Sequence, residues 1–512
     1  MDLKSSIGLV FVGASSSMLA AAGPMAGPRE KKANIIYILA DDMGMAELGC
    51  YGQEKIETPN IDALSRAGMS FSNHYSGQAV SGPSRCVLFT GLHTGHAYIR
   101  GNDAMPERGN VWSYEAMLAD STLEGQRPVP ANTIMIPKML KQAGYRTGCV
   151  GKWGLGYPGS VSTPNKMGFD FFYGYNCQRM AHTYYPRFLY RNECREYLSN
   201  PYLSFSAKLD KGADPRDEKS YAKFTSKEYS PDLMFDELMN FVDRSKNDPF
   251  ALFWTTPVPH VPLQAPEKWV KYYVDKFGDE EPYLGNKGYY PCRYPRATYA
   301  AMITYWDEQI GKLVQKLKDL GLYENTLIIF TSDNGATYNG GSDSQYFKSA
   351  HPFDCMAGWG KGSLREGGIR APMIACWPAK IKAGTSSDLL SAFWDMMPTM
   401  CDVAGVKSPA TDGISMLSTF LGQDKKQKRH DYLYWEYPEA GGQKAVRMGK
   451  WKAFVKNIRK GNREICLYDL SIDPKEKNNL AELHPEIVEK VLQIFREEHS
   501  DAEIKKFNLP VW

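Results

Sequence analysis

The chain has 512 residues, of which 43% are hydrophobic, and it carries a net charge of +3 at pH 7. This length is enough for a large core and more than one domain. The small net charge argues against the strongly basic surface of a nucleic-acid-binding protein, and the densest basic run, at residues 425–430, is typical of a solvated loop.

The N-terminus has the pattern of a secretory signal peptide. A lysine near the start precedes an apolar stretch from Ile7 to Leu19, and small residues follow. Cleavage after Ala22 or Ala26 defines a signal peptide within residues 1–26. The stretch is short and rich in serine and alanine, which favours a signal peptide over the alternative of a membrane anchor, and no later segment is apolar enough to span a membrane. We therefore expect an exported, periplasmic protein.

Four apolar segments each end in polar side chains. NIIYILA precedes Asp41 and Asp42, and YRTGCVGK ends in Lys152. PFALFWTTPVP precedes His260, and NTLIIFTS precedes Asp333 and Asn334. Uniformly apolar segments favour strands that are buried on both faces, as in a mostly parallel sheet flanked by helices. Helical patterns lie between them, at residues 136–144 and 296–320. Because ligands of such α/β folds bind at the carboxyl ends of strands, these polar groups predict a functional site.

Two of these strand ends carry hard oxygen ligands, namely Asp41 with Asp42 and Asp333 with Asn334. Three carboxylates and an amide suit Ca²⁺ or Mg²⁺ better than a soft metal, and three neighbouring carboxylates without a cation would repel one another. Either pair alone is also typical of a turn. Together, on strands that can lie side by side, they predict a divalent cation site.

The segment SGPSRCVLFTG places Ser81 at the start of a predicted helix, because Pro83 is favoured in a first turn. Arg85, four residues later, shares a helix face with Ser81. A hydroxyl, an arginine and free backbone N–H groups together predict an oxyanion site. No G-x-S-x-G elbow and no local base accompany the serine, so a role as a helix N-cap stays open.

Beyond about residue 420 the pattern changes to short, aromatic, alternating strands, followed by a helical pattern at residues 484–504. It predicts a small antiparallel sheet with one helix, packed on the main domain. We therefore expect an α/β catalytic domain at residues 33–420 and an α+β subdomain at residues 421–512. The ten cysteines show no C-x-x-C spacing, which argues against a zinc cluster, and the sequence assigns no disulfide.

The segment SGPSRCVLFTG resembles the signature of the type I sulfatases, in which a cysteine or serine before x-Pro-Ser-Arg is converted to formylglycine. Other blocks resemble the family in the family's order along nearly all of the mature chain, namely YILADDMG, GKWGLG, PHVP, FTSDNG, GKGSLREGGIRAP and LYDLSIDPKEKNNLA. The resemblance implies the alkaline-phosphatase-like fold and a sulfuric ester hydrolase. It also implies a serine-type enzyme that depends on a formylglycine maturase acting on serine.

The same resemblance implies that Ser81 becomes formylglycine, whose hydrate attacks sulfur and later helps to expel sulfate. The implied ligands of Ca²⁺, with Mg²⁺ as the alternative, are Asp41, Asp42, Ser81, Asp333 and Asn334.

Four further residues receive roles from the resemblance. Arg85 would hold the hydrate, and Lys152 and Lys361 would bind sulfate oxygens. His260 would protonate the departing sugar oxygen. Taken alone, both lysines also fit solvated loops, and His260 fits a structural hydrogen bond.

One position departs from the family block, which often has a histidine where this chain has Gly154. The departure leaves open which group takes the proton of the hydrate during sulfate release. His93 and His96, just past the serine motif, are candidates.

The segment NCQRMAHTYYPRFLYRN, residues 176–192, combines aromatic rings with hydrogen-bond donors, as sugar sites do. Gln178, Arg179 and His182 are the candidate substrate-binding residues, and His182 is suited to reading an axial ring hydroxyl. The alternative is an ordinary folded surface loop. Similar segments occur in exo-acting carbohydrate sulfatases, so we expect an exo-acting enzyme for sulfated galactose or N-acetylgalactosamine of mucin-type or glycosaminoglycan chains.

Two other functions stay open. The first is a phosphatase or phosphonate monoester hydrolase of the same superfamily. A two-zinc phosphatase is disfavoured, because it needs several histidine ligands and the segment SDNGATYNGG contains none. The second is a secreted glycan-binding protein with a degenerate site, for which Gly154 is the main support.

Overall fold

The computed structural model of this chain describes residues 31–510, together with Met1 and Gly8. The predicted signal peptide, residues 1–26, lies outside the described residues apart from those two positions. Within the described part of the chain, no helix combines the length and the apolar character needed to cross a membrane. All elements below belong to one unit, Ala33–Trp512.

The described strands form three sheets. In chain order they are β1 (Asn34–Ala40), β2 (Met69–Phe71), β3 (His74–Tyr75), β4 (Arg146–Lys152), β5 (Phe171–Tyr175), β6 (Phe188–Arg191), β7 (Cys194–Tyr197), β8 (Phe250–Thr255), β9 (Thr326–Ser332), β10 (Met373–Cys376), β11 (Thr385–Ser387), β12 (Ser391–Ala392), β13 (Leu433–Tyr437), β14 (Gln443–Met448), β15 (Trp451–Lys456) and β16 (Cys466–Asp469).

The largest sheet has ten strands in the order β11-β2-β10-β9-β1-β8-β4-β5-β6-β7. Its centre, from β9 through β1, β8 and β4 to β5, is parallel throughout. Antiparallel pairs occur outside this centre, where β10 joins β9 and where β6 and β7 extend beyond β5. Every residue of β1, β8 and β9 is buried, which explains their uniformly apolar sequences. The prediction of a large, mostly parallel sheet is confirmed.

The helices pack around this sheet. They are α1 (Pro59–Ala67), α2 (Ser81–Thr90), α3 (Tyr114–Ala119), α4 (Ile136–Gln142), α5 (Ser230–Ser245), α6 (Glu267–Phe277), α7 (Pro295–Asp319), α8 (Glu366–Ile369), α9 (Met396–Ala404), α10 (Leu417–Phe420) and α11 (Pro485–Glu497). The predicted helix at residues 296–320 is α7, which has proline at its first position and buries Ile303, Ile310 and Leu313. Gly321, in the left-handed region at φ 64°, follows it.

The small sheet is an antiparallel meander, β13-β14-β15-β16. Helix α11 packs Val491, Ile494 and Phe495 into a common apolar cluster with Val446 of β14 and Leu467 of β16. The helix ends at Glu497, earlier than the pattern at residues 484–504 predicts, because the following serine and aspartate favour turns over a helix interior. The predicted small antiparallel sheet with one helix is otherwise confirmed.

All ten cysteines lie within the described residues, and each is a free thiol.

Candidate active site

The parallel pairing of β1 and β9 brings two acidic segments together. Ala40 and Ser332 are register partners at the carboxyl ends of these strands, so residues 41–42 and 333–334 begin at the same edge of the sheet. The backbone N–H of Asp42 donates to Asp333 Oδ1 at 3.1 Å, and Asn334 Nδ2 donates to Asp42 Oδ1 at 2.8 Å. All three side chains are fully buried, as is Asp41.

The backbone of Asp42 leaves the extended conformation of β1. Its φ is 67°, in the left-handed region that residues other than glycine rarely adopt. In an extended strand Asp41 and Asp42 would point to opposite faces. The turn at Asp42 lets both carboxylates approach the same group of cationic side chains. Strain of this kind is concentrated at functional sites.

Ser81 is the first residue of α2, and its side chain points to the acidic segment. Its Oγ donates to Asp41 Oδ1 at 3.1 Å, and the residue is 4% exposed. Val80, with φ −146° and ψ 153°, holds the N-cap position. The alternative that Ser81 is the N-cap of this helix is therefore wrong.

One helical turn later, Arg85 connects the acidic segment to β4. Its Nε and Nη2 donate to Asp333 Oδ2 at 3.2 and 3.1 Å, and its Nη1 donates to the carbonyl oxygen of Lys152 at 2.5 Å. The guanidinium is fully buried. Two of its nitrogens therefore neutralise Asp333, while the third fixes the end of β4.

Two lysines and a histidine complete this centre. Lys152 Nζ forms an ion pair with Asp41 Oδ2, and Lys361 Nζ lies 2.6 Å from Asp42 Oδ2. His260 Nε2 lies 3.5 Å from the same oxygen of Asp42, and its Nδ1 lies 2.5 Å from the carbonyl oxygen of Val261. Because a carbonyl can only accept, Nδ1 carries a proton and Nε2 is the ring atom directed at the acidic centre.

Burial and charge together set the protonation of this centre. Burial and the nearby charge of Asp41 raise the pKa of Asp333 to about 6, against the opposing effect of Arg85. Burial disfavours the charged form of Lys361, but Asp42 overcomes this effect and raises the pKa of the lysine. Burial, followed by the charge of Lys361, lowers the pKa of His260 to about 4. The site thus keeps three buried carboxylates next to three cations, of which Arg85 and Lys152 are buried and Lys361 is partly exposed.

The donor set of the acidic segment fits a hard divalent cation. Asn334 Oδ1 is buried and has no hydrogen-bond partner among the described residues, although its Nδ2 is fully used. An unpaired buried carbonyl oxygen next to carboxylates is suited to metal coordination. Oxygen or nitrogen atoms of Asp41, Asp42 and His260 lie within 4.8 Å of one another.

A cavity of about 200 Å³ opens on this centre and includes all three candidate substrate-binding residues. Gln178 precedes a turn of 3₁₀ helix, Arg179–His182. The ring of His182 stacks on that of His260, with centroids 5.7 Å apart and planes at 10°. Burial, followed by the charges of His260 and Lys152, lowers the pKa of His182 well below its usual value.

Several cavity residues were not identified from the sequence. They are Asn102, Asp103, Ala104, Trp112, Gln126 and Tyr289. Tyr289 has φ 64° and contacts both His182 and His260 edge to face, with centroids 5.0 and 5.8 Å apart. Trp112 is 66% exposed at the cavity. A tryptophan among the polar residues of the segment RGNVWS is the sequence signal that could have identified Trp112.

The candidate proton acceptors His93 and His96 are engaged elsewhere. His93 Nε2 lies 2.9 Å from Glu498 Oε2, and its Nδ1 accepts from the N–H of Gly95. His96 Nδ1 lies 2.9 Å from Asp412 Oδ1. Neither histidine lines the cavity that contains Ser81.

The chain is similar to several known proteins. The sulfatase family model matches residues 33–406, and the model for the C-terminal part of N-sulphoglucosamine sulphohydrolase matches residues 357–501. The human N-acetylgalactosamine-6-sulfatase is 31% identical over 418 residues, which cover 78% of this chain and 68% of the relative. The N-acetylgalactosamine-6-O-sulfatase of Bacteroides thetaiotaomicron is 29% identical over 521 residues, with 91% and 93% covered.

Among solved structures, the crystal structure of Ps i-CgsB superposes with a TM-score of 0.71 at 27% identity. The superposition covers 92% of this chain and 94% of that one.

Proposed function

This chain belongs to the sulfatase family, and from that premise we propose that it removes a sulfate ester from galactose or N-acetylgalactosamine in mucin-type or glycosaminoglycan chains. Two N-acetylgalactosamine-6-sulfatases among its relatives support the choice of sugar. The cavity volume of about 200 Å³ supports exo-action. It lies below the roughly 300–1,000 Å³ typical of drug-sized ligand sites, so it suits one sugar unit better than the interior of a chain.

One observation carries the proposal: the Ser81 hydroxyl lies at the N-terminus of α2, bonded to Asp41, in the same cavity as Lys152, Lys361 and His260. A bare serine is a weak nucleophile without an adjacent base. A formylglycine made from Ser81 would supply, as its hydrate, one hydroxyl to attack sulfur and a second to expel sulfate.

Asp41, Asp42, Asp333 and Asn334 are the residues that would hold a divalent cation, Ca²⁺ or Mg²⁺, together with residue 81. The cation would neutralise sulfate oxygens and favour the ionised form of the attacking hydroxyl. The orphaned Oδ1 of Asn334 supports this assignment.

The remaining residues have roles that follow from their positions. Lys152 and Lys361, at the border of the acidic centre, would bind the sulfate oxygens and stabilise their charge in the transition state. Arg85, held by Asp333, would orient residue 81 from the next turn of α2. His260 would act as the acid only after Nε2 takes up a second proton. The negative charge of a bound sulfate would raise the pKa of the ring and favour that form, from which Nε2 would deliver the proton to the sugar oxygen as it leaves.

We further propose a catalytic domain at residues 33–420, a C-terminal subdomain at residues 421–512, and export to the periplasm after removal of residues 1–26. A serine-type maturase would be the partner that oxidises Ser81.

The test is coproduction of the chain with a serine-type maturase, followed by mass analysis of the peptide that contains Ser81. We expect loss of two hydrogens from that peptide, and release of sulfate from at least one defined monosulfated galactose or N-acetylgalactosamine. The Ser81→Ala variant is the control and should lower turnover by about 10³-fold or more. A fully modified protein that cleaves no sulfated sugar but cleaves phosphate or phosphonate esters would overturn the proposal.

A further inference from the structure

Arg179 is a buried cation with unused hydrogen-bond donors in the candidate substrate cavity. The residue is 3% exposed, and its Nη2 donates to the carbonyl oxygen of Leu123 at 3.1 Å. Its Nε and Nη1 are buried and have no hydrogen-bond partner among the described residues. Leaving guanidinium donors buried and unpaired is costly, so the position favours a ligand that accepts from them.

The other charged cavity residues are already neutralised. Lys152 and Lys361 form ion pairs with Asp41 and Asp42. Asp103 forms ion pairs with Arg127 and Lys506, so its negative charge is balanced without a ligand.

Arg179 differs from them, because no carboxylate of the described chain lies within ion-pair distance of its nitrogens. The nearby Glu124 is bound by Arg195 and by the hydroxyl of Tyr190 instead. Burial raises the pKa of Glu124 to about 7 despite Arg195, so this acid is a weak counter-charge for Arg179. The cavity therefore holds one positive charge more than its own acids balance.

Trp112 places an apolar platform beside this charge. The Cζ of Arg179 lies 5.1 Å from the centroid of the Trp112 ring, most of which is exposed. An exposed indole next to buried donors is suited to a sugar ring, whose C–H face packs on the aromatic ring while its polar groups meet the donors.

We propose that Arg179 binds a second anionic group of the saccharide, a carboxylate or a further sulfate, while Lys152 and Lys361 bind the sulfate that is removed. The preferred substrate is then a dianionic saccharide, such as a disulfated sugar or a sulfated sugar joined to a uronic acid. This inference rests on the proposed function, because it takes the cavity to be the site of a sulfated sugar. Guanidinium binds both anions through charge-assisted hydrogen bonds.

The first test measures binding to the full chain with unmodified Ser81, which under the proposal binds without turnover. Calorimetry compares a monosulfated N-acetylgalactosamine, the same sugar with a second sulfate, and the same sugar joined to glucuronic acid. We expect at least one dianionic compound to bind about 10-fold or more tightly than the monosulfated sugar, and the stronger of the two identifies the anion.

The Arg179→Met variant should lose this difference, and Arg179→Lys should keep part of it. Arg244→Met, which removes an exposed arginine, is the matched control and should keep all of it. Equal affinity of the wild-type protein for all three compounds overturns the inference without any variant. A preference that persists in a folded Arg179→Met protein also overturns it.

The second test separates this inference from the proposed function. The matured enzyme is assayed on the same three compounds. If the enzyme cleaves all three compounds at equal kcat/KM and binds them with equal affinity, the proposed sulfatase activity is supported and the proposed role of Arg179 is wrong. Tight, Arg179-dependent binding of a dianionic sugar without any sulfate release supports the binding role and removes the proposed reaction.

Discussion

The side chain of Gln178 fills the space beside Gly154. A Cβ at Gly154 would lie 2.5 Å from Nε2 and 2.7 Å from Cγ of Gln178, closer than non-bonded carbon atoms approach. Gly154 also has φ 86°, in the left-handed region. A side chain at position 154 would therefore have to displace Gln178.

We expect Gly154→Ala to destabilise the protein more than the same substitution does at a left-handed glycine that has free space around it. The strain of alanine at positive φ costs about 1–2 kcal/mol, and displacing Gln178 adds about 1–3 kcal/mol of overpacking. The measurement is the free energy of unfolding in urea. Gly159→Ala is the matched control, because Gly159 has φ 82° and a methyl group there would have no other atom within 4 Å. Adding Gln178→Ala to the Gly154→Ala variant should restore the part of the unfolding free energy that is lost to overpacking. Equal losses of unfolding free energy in Gly154→Ala and Gly159→Ala would contradict this account.

The orphaned oxygen of Asn334 leads to a prediction for metal binding. We expect Ca²⁺ to raise the Tm of the protein, since a ligand at about 100 times its Kd stabilises the folded state by about 2.7 kcal/mol. Asn334→Ala removes one oxygen ligand and should weaken this binding about 10-fold or more. The readout is the Ca²⁺-dependent increase in Tm, titrated against metal concentration. Asn240→Ala, at an exposed asparagine of α5, should respond as the wild-type protein does.

His260 gives a prediction that depends on the leaving group. If Nε2 protonates the departing oxygen, His260→Gln should lower kcat on a sugar sulfate by about 10²–10⁴-fold. A nitrophenyl sulfate has a leaving group that is stable as an anion, so its kcat should fall much less if this enzyme accepts it. Equal losses on the two substrates would instead indicate that His260 positions the sulfate or the neighbouring Asp42, 3.5 Å away.

Much of the fold could be predicted, because the central strands have an unambiguous sequence pattern. β1, β8 and β9 are buried on both faces, which matches their short apolar runs. The acids that follow β1 and β9 emerge at one edge, because these two strands are parallel. The edge strands were not predicted. β7 is largely solvent-facing, with the sequence CREY, and such a segment forms a strand only because β6 offers it a free edge.

The substrate side of the cavity was predicted only in part, for a different reason. Gln178, Arg179 and His182 lie in one segment, whereas Trp112 and Tyr289 come from loops far away in the chain. Loop residues carry no periodic pattern, and their meeting depends on how the helices and the sheet pack. The pairing of Gln178 with Gly154 is likewise visible only in three dimensions.

The last prediction concerns the pH dependence of stability away from the cavity. The hydrogen bond to Asp412 raises the pKa of His96 above its ordinary value of about 6.5, and Glu498 acts in the same direction while Arg100 opposes it. Folding therefore favours protonated His96. Its stabilisation is fully present below the unfolded-state pKa and is lost as the pH rises through the higher folded-state pKa.

We expect His96→Gln to cost less than about 1 kcal/mol at pH values near 6, because the pair is partly exposed. The cost should shrink as the pH rises to about 8, since wild-type His96 then loses the proton that Asp412 stabilises. Urea unfolding of both proteins across this range measures the difference, and His351→Gln, at an exposed histidine, controls for the loss of an imidazole. A difference that stays constant with pH would show that His96 acts through packing against the ring of His93, 4.3 Å away, and not through its charge.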